Sequence, residues 1–255
     1  MKILKTVKEL NDYKKNISGD SLGFVPTMGA LHKGHAELFK ASVEQNKKTL
    51  VSIFVNPKQF NDEKDFLTYP KTIDEDLAFC DEYGVDSVFL PEKEELFLEE
   101  ESITLADTSI SSVFEGKMRP GHFEGVLLIL LKLLNLVRAD AIYMGEKDYQ
   151  QSLLTQKLCK TFFIPTHVKA VKTYRDSTGL PFSSRNTKLT PKGLEQAQIV
   201  AKMFHKSKSK AEFLKALKSS LQTEIDLDYY GELGEKVLMA HRIEDVRILD
   251  NKDRV

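Results

Sequence analysis

Long apolar runs are missing from this chain, and so are the short signatures that most readily announce a chemistry. A membrane-spanning helix needs about 20 apolar residues. The longest apolar stretch, residues 126–137, is interrupted by Lys132 and Asn135 and predicts a buried helix instead. Only two cysteines, Cys80 and Cys159, are present, with no CxxC pair. That excludes a disulfide framework and a dithiol redox motif. Charge of one sign is also missing. A net charge of -1 sets up no field that would draw in nucleic acid or an anionic membrane, so any phosphate binding has to be local. Residues 1–19 are polar and lysine-rich, without the apolar core of a signal peptide, and a cytoplasmic location is expected. The chain contains no GxxxxGK[ST] loop, no GxGxxG turn and no GxSxG elbow, which leaves a lysine phosphate loop, a dinucleotide fingerprint and that type of serine hydrolase unsupported.

What is present is enough to build a packed protein. At 255 residues with 41% apolar and 29% charged content, the chain accommodates one large or two modest domains. Apolar strand-like runs at 22–26, 49–55, 87–90, 141–144 and 166–171 alternate with helical patterns at 34–46, 72–83, 123–137 and 149–160. Near-continuous apolar strands between helices predict an α/β fold, a parallel sheet with helices on both faces. Ligands of such sheets sit at the carboxyl ends of the strands. From about residue 174 the pattern changes. Two helical segments, 194–205 and 211–221, precede two short strands around Val237 and Arg247, which predicts a smaller α+β domain over 174–255 after a first domain over 1–173.

The most informative segment is Met28-Gly29-Ala30-Leu31-His32-Lys33-Gly34-His35, which leaves the first core strand and enters a helix. Unpaired N–H groups and the positive dipole end of a helix favour an anion there. Two histidines three apart are expected on one face of the first turn, each able to donate to a phosphate oxygen. Two surface histidines around a turn would give the same string, and a metal pair is a third reading, for which the scattered remaining histidines offer no support.

Three further segments sit at similar strand ends or between the domains. In Gly145-Glu146-Lys147-Asp148, the lysine suits phosphate and the aspartate suits ribose hydroxyls, although Asp148 also fits a plain helix N-cap. Gln151, one turn on, is placed to reach a carboxylate or hydroxyl of a second substrate. Ser183-Ser184-Arg185-Asn186 is a dense donor set for pyrophosphate, with Gly179 as a hinge of a closing lid, yet such residues also populate ordinary turns. Gln59, after the chain reversal at Asn56-Pro57, suits a small polar substrate. Arg119 and His122 are candidate anion contacts. Asp74, Glu75 and Asp76 form an acidic run at a helix start, where the dipole favours carboxylates.

Taken together, PTMGALHKGH, FVNPKQF, TYPKT, GKMRPGHFEGV, GEKDYQQ and SSRN resemble, in order and spacing, the pantoate–β-alanine ligase (pantothenate synthetase) family. The resemblance runs from about Leu22 to Thr187. It implies a Rossmann-like domain of the His-x-Gly-His nucleotidyltransferases, a smaller C-terminal domain, and usually a homodimer. It also implies a two-step reaction in which ATP and pantoate give pantoyl-adenylate, which β-alanine converts to pantothenate with release of AMP. Magnesium accompanies ATP. By position, residues 28–35 match the ATP segment, with His32 and His35 on phosphates and His35 as proton donor. Gly145, Glu146, Lys147 and Asp148 match ribose and phosphate contacts, and Phe182, Ser183, Ser184 and Arg185 match the phosphate lid. Gln59 and Gln151 match pantoate contacts, and Glu75 and Asp76 match positions associated with magnesium. Phe182 stands where the family commonly has methionine or leucine, and Tyr174 where it commonly has a small aliphatic residue near adenine, and a shortened stretch at 229–236 predicts a reduced C-terminal sheet. Two other readings remain: a different His-x-Gly-His nucleotidyltransferase, which has no need of the paired glutamines, and a non-catalytic nucleotide-binding module.

Overall fold

The computed structural model describes residues 1–97, 102–221 and 225–254. It divides into two compact units, one made of Met1–Leu31 with His35–Val171, the other of His32–Gly34 with Lys172–Val255.

In the first unit the apolar runs at 22–26, 49–55, 87–90 and 141–144 become strands covered on both sides, whereas the edge run at 166–171 is largely exposed. The strands are β1 (Lys2–Leu4), β2 (Leu22–Thr27), β3 (Lys48–Ile53), β4 (Ser87–Phe89), β5 (Ala141–Gly145) and β6 (His167–Val171). The helices are α1 (Val7–Asn16), α2 (Lys33–Gln45), α3 (Glu63–Leu67), α4 (Ile73–Glu82), α5 (Lys93–Leu96), α6 (Phe114–Met118), α7 (His122–Val137) and α8 (Tyr149–Thr161). All strand pairs are parallel, in the order β1-β4-β3-β2-β5-β6. Neighbouring residues of one strand point to opposite faces. Phe24, Leu50 and Ile142 accordingly pack in one core with α1, α7 and α8, while Val25, Val51 and Tyr143 pack in another with α2 and α4. The continuous apolar strands are thus explained by a sheet buried on both faces.

Charge had disguised the N-terminal elements. The lysine-rich start forms β1 and α1, with Leu10 and Tyr13 buried under the exposed lysines. Thr6 and Glu9 make a reciprocal capping box, a signal readable in the sequence.

The second unit contains α9 (Pro191–Lys206), α10 (Lys210–Ser220) and an antiparallel sheet of β7 (Asp226–Leu233), β8 (Lys236–Ile243) and β9 (Val246–Asp253), in that order. The sequence predicts two short strands here, but the sheet has three, each of 8 residues. β7 escapes prediction because none of its residues is fully buried, so its pattern lacks the apolar alternation of a half-buried strand. Phe204, Phe213, Met239 and Ile248 centre the core of this unit. Among the described residues no helix is long and apolar enough to cross a membrane.

Candidate active site

Three neighbouring strands set the frame. β3, β2 and β5 lie side by side and parallel, so their carboxyl ends share one edge of the sheet. The segment Met28-Gly29-Ala30-Leu31 leaves β2, the turn with Gln59 follows β3, and Glu146-Lys147-Asp148 follow β5. From β2 the sheet winds through β3 and β4 in one direction and through β5 and β6 in the other. This is a topological switch point, where open α/β sheets place ligands.

The β2 loop is held open by a carboxylate. Gly29 and Ala30 both take positive φ, 79° and 51°. Their conformation turns the N–H groups of Ala30 and Leu31 onto Asp76, at 2.9 Å and 2.7 Å. A Cβ at residue 29 would meet Asp76 Oδ2 at 2.8 Å, so glycine is required by both conformation and space. Thr27 Oγ1 accepts from Gly29 N–H and donates to the Ser52 carbonyl, tying the loop to β3. Burial raises the Asp76 carboxyl above its usual range, against the pull of the two amides.

This arrangement gives Asp76 a structural role in the loop. Asp76 is buried with an amide on each oxygen, and Glu75 is exposed. Among the described residues no group of three or more His, Cys, Asp or Glu side chains could hold a metal ion. The place of Glu75 and Asp76 in the first turn of α4 agrees with the dipole argument.

The two histidines do not share a helical face. α2 begins at Lys33, so His32 precedes it, and its Nδ1 accepts from Gly34 N–H at 3.1 Å. A neutral ring in that state carries its proton on Nε2. His35 sits in the first turn of α2, which contains no acidic residue to offset the positive dipole end.

At the end of β5, Lys147 Nζ lies 3.2 Å from Asp148 Oδ1. Asp148 occupies the N-cap position of α8 without making a capping hydrogen bond, so the plain capping explanation fails. Glu146 is half-buried, as is Gln151 one turn into α8. The neighbouring Gln150 is buried and occupied, accepting from Glu115 N–H at 3.1 Å and donating to the Val113 carbonyl at 2.8 Å.

After β3, Asn56 organises the turn that presents Gln59. Asn56 is buried, and its Nδ2 donates to Gln59 Oε1 at 3.1 Å and to the Gly125 carbonyl at 3.0 Å. Gln59 Nε2 then faces Met28 Sδ at 2.7 Å. Arg119 and His122, candidate anion contacts by sequence, instead both donate to the Gln59 main-chain carbonyl, at 3.2 Å and 2.8 Å. Sequence reasoning gave Asn56 a turn role only. The signal it missed was the polar side chain two residues before Lys58, whose N–H it accepts, which is the spacing of an Asx turn.

In the second unit, Tyr174 and Phe182 pack with ring centroids 5.0 Å apart, and Phe182 N–H donates to the Tyr174 carbonyl at 3.1 Å. Ser183 Oγ accepts from Arg185 N–H, opening a short 3-10 segment that begins at Ser184. The turn around Gly179 is held by hydrogen bonds. Asp176 accepts from Thr178 and Leu180 N–H across this turn, and Arg175 spans from the Gly179 carbonyl to buried Asp250 at 2.7 Å. His205 Nε2 lies 3.0 Å from the other Asp250 oxygen.

Comparison with known proteins points to one family and one fold. A family profile described as pantoate-beta-alanine ligase matches residues 2–253. The chain is 42% identical to a pantothenate synthetase from Legionella pneumophila, covering 98% of this chain and 99% of the relative. It is 40% identical to one from Bdellovibrio bacteriovorus, covering 98% of each. A pantoate-beta-alanine ligase from Francisella tularensis, solved in complex with beta-gamma ATP and beta-alanine, superposes with a TM-score of 0.92 at 36% identity, covering 99% of this chain and 97% of that one. A pantothenate synthetase from Thermus thermophilus superposes with a TM-score of 0.90 at 30% identity, covering 99% of each chain.

Proposed function

Because the chain belongs to the pantoate-beta-alanine ligase family, we propose that it joins pantoate to β-alanine at the expense of ATP, through a pantoyl-adenylate. The observation that carries this reading is the shared sheet edge, where the β2 loop, the Gln59 turn and Lys147 follow adjacent parallel strands. In the first step a pantoate carboxylate oxygen attacks the α-phosphorus and the bond to pyrophosphate breaks. In the second the β-alanine amine attacks the acyl carbon, AMP leaves, and the nitrogen loses a proton.

Attack on an already anionic phosphate is chiefly a matter of positioning and charge. His32, His35 and Lys147 donate to phosphate oxygens, with His35 as proton donor. Met28, Gly29, Ala30, Leu31, Lys33 and Gly34 line the nucleotide segment. Gly145, Glu146 and Asp148 serve the ribose side, and Tyr174 and Phe182 serve adenine. Ser183, Ser184 and Arg185 stabilise the departing pyrophosphate and shield the adenylate from water. Gln59 and Gln151 bind pantoate. Residues 1–173 hold the substrates in this reading and 174–255 carry the phosphate lid. Magnesium would accompany the nucleotide and offset phosphate charge, and no step is assigned to Glu75 or Asp76. A homodimer working in the cytoplasm, where ATP is supplied, completes the proposal.

Pantoate-dependent exchange of pyrophosphate into ATP, and AMP release that needs β-alanine, are the expected activities. His35→Ala or Lys147→Ala should lower exchange on the order of 10²–10³-fold, as loss of an oxyanion donor does, with thermal unfolding unchanged. A folded variant with near wild-type exchange removes that residue from the chemistry, and wild-type protein without pantoate-dependent exchange removes the ligase reading.

A further inference from the structure

We propose that His122 and Arg119 are positioning residues for the hydroxy-acid substrate, locking the Gln59 main chain so that its amide is presented in one orientation. The inference rests on the ligase reading, since it is pantoate that Gln59 would meet.

Gln59 ends a single 3-10 turn, Pro57–Gln59, too short to hold itself in place. Its carbonyl is held from outside, by His122 Nδ1 at 2.8 Å and an Arg119 guanidinium nitrogen at 3.2 Å. The other Arg119 terminal nitrogen lies 3.3 Å from His122 Nε2. A carbonyl only accepts and a guanidinium only donates. His122 must therefore carry its proton on Nδ1 and leave Nε2 bare, so one tautomer satisfies all three contacts. Burial and the adjacent Arg119 charge lower the His122 pKa to about 4, against the weaker opposing pull of the Gln59 carbonyl, Glu115 and Asp148. The ring is accordingly neutral at ordinary pH and unsuited to holding an anion.

His122 opens α7, yet neither nitrogen serves that helix. Gly121, at the N-cap, offers no capping side chain. The helix instead closes on the turn from a second direction. A Cβ at Gly125 would lie 2.1 Å from the Lys58 carbonyl oxygen, and the Gly125 carbonyl accepts from Asn56. With the Gln59 main chain pinned and Oε1 engaged by Asn56, the remaining amide donor is aimed at the β2 side of the sheet edge.

The test is steady-state kinetics of His122→Phe and His122→Asn, in wild-type and Gln59→Ala backgrounds, with thermal unfolding alongside. Phenylalanine fills the space without a donor, whereas asparagine returns an N–H near the Nδ1 position. Loss of this hydrogen bond should raise the pantoate KM about tenfold in His122→Phe, with the ATP KM unchanged, and His122→Asn should restore most of the difference. In the Gln59→Ala background the same substitution should add nothing. An unchanged pantoate KM, an equal rise in the ATP KM, or full additivity with Gln59→Ala overturns the proposal. Should His122→Phe fail to fold, Arg119→Met removes one donor and the Nε2 brace, and the same selective rise in pantoate KM decides. Wild-type protein lacking pantoate-dependent AMP release would overturn the ligase reading and this inference with it, whereas the variants bear on the inference alone.

Discussion

Asp76 shows how much one side chain can carry by organising a loop. Both its oxygens are spent on the amides of Ala30 and Leu31, residues 46 and 45 positions earlier in the chain. In the sequence it is one of three acids at a helix start, and the dipole explains all three equally well. Only the folded chain separates the exposed Glu75 from the buried Asp76. Asp76→Asn should place an NH₂ against one of those amides and cost about 1–3 kcal/mol in urea unfolding, the penalty of an unsatisfied buried donor. Pyrophosphate exchange should fall with it, and added magnesium should not restore it. Recovery of exchange at high magnesium would instead return Asp76 to the role of metal ligand.

Elements were legible where their apolar period was strong and obscure where another signal covered it. β2, β3 and β5 announce themselves because both faces are buried, and α7 because its apolar content is dense. β1, α1 and β7 do not, being short, lysine-covered or only half-buried. The packing of α7 on the Gln59 turn belongs to the same scale and was invisible in one dimension, since nothing local marks Gly125 as a contact point. Within a helix, alanine is favoured over glycine by about 1 kcal/mol. Gly125→Ala should nevertheless destabilise the protein and raise the pantoate KM, because its methyl would meet the Lys58 carbonyl at 2.1 Å. A variant that melts higher and binds pantoate normally would mean that the turn yields freely.

At the scale of the whole molecule, two buried imidazoles, one in each unit, contribute to the response to acid. His122 in the first unit and His241 in the second are each displaced by burial from 6.5 to about 4, with Asp250 and Asp228 opposing the shift at His241. Between those values each imidazole binds more protons in the unfolded chain than in the native one, so its contribution to stability is complete above about pH 6.5 and declines as pH falls toward 4. Each unit of displacement is worth about 1.4 kcal/mol. His241 Nδ1 has no hydrogen-bond partner. His241→Leu should therefore cost little at neutral pH and lose less Tm than wild type at about pH 4.5, by roughly 2–4 °C per kcal/mol recovered. Equal acid sensitivity in the two proteins would show that His241 is not the titrating group. Apolar period, helix-start chemistry and the order of the motifs were enough, by themselves, to specify a covered parallel sheet, the succession of its core strands along the chain and its family, because these depend on residues near one another in sequence. Which carboxylate holds the β2 loop, which histidine braces a glutamine and which glycine admits a neighbouring carbonyl were decided only in three dimensions. Those contacts join residues tens of positions apart, and their geometry exists only once the sheet has closed the distance.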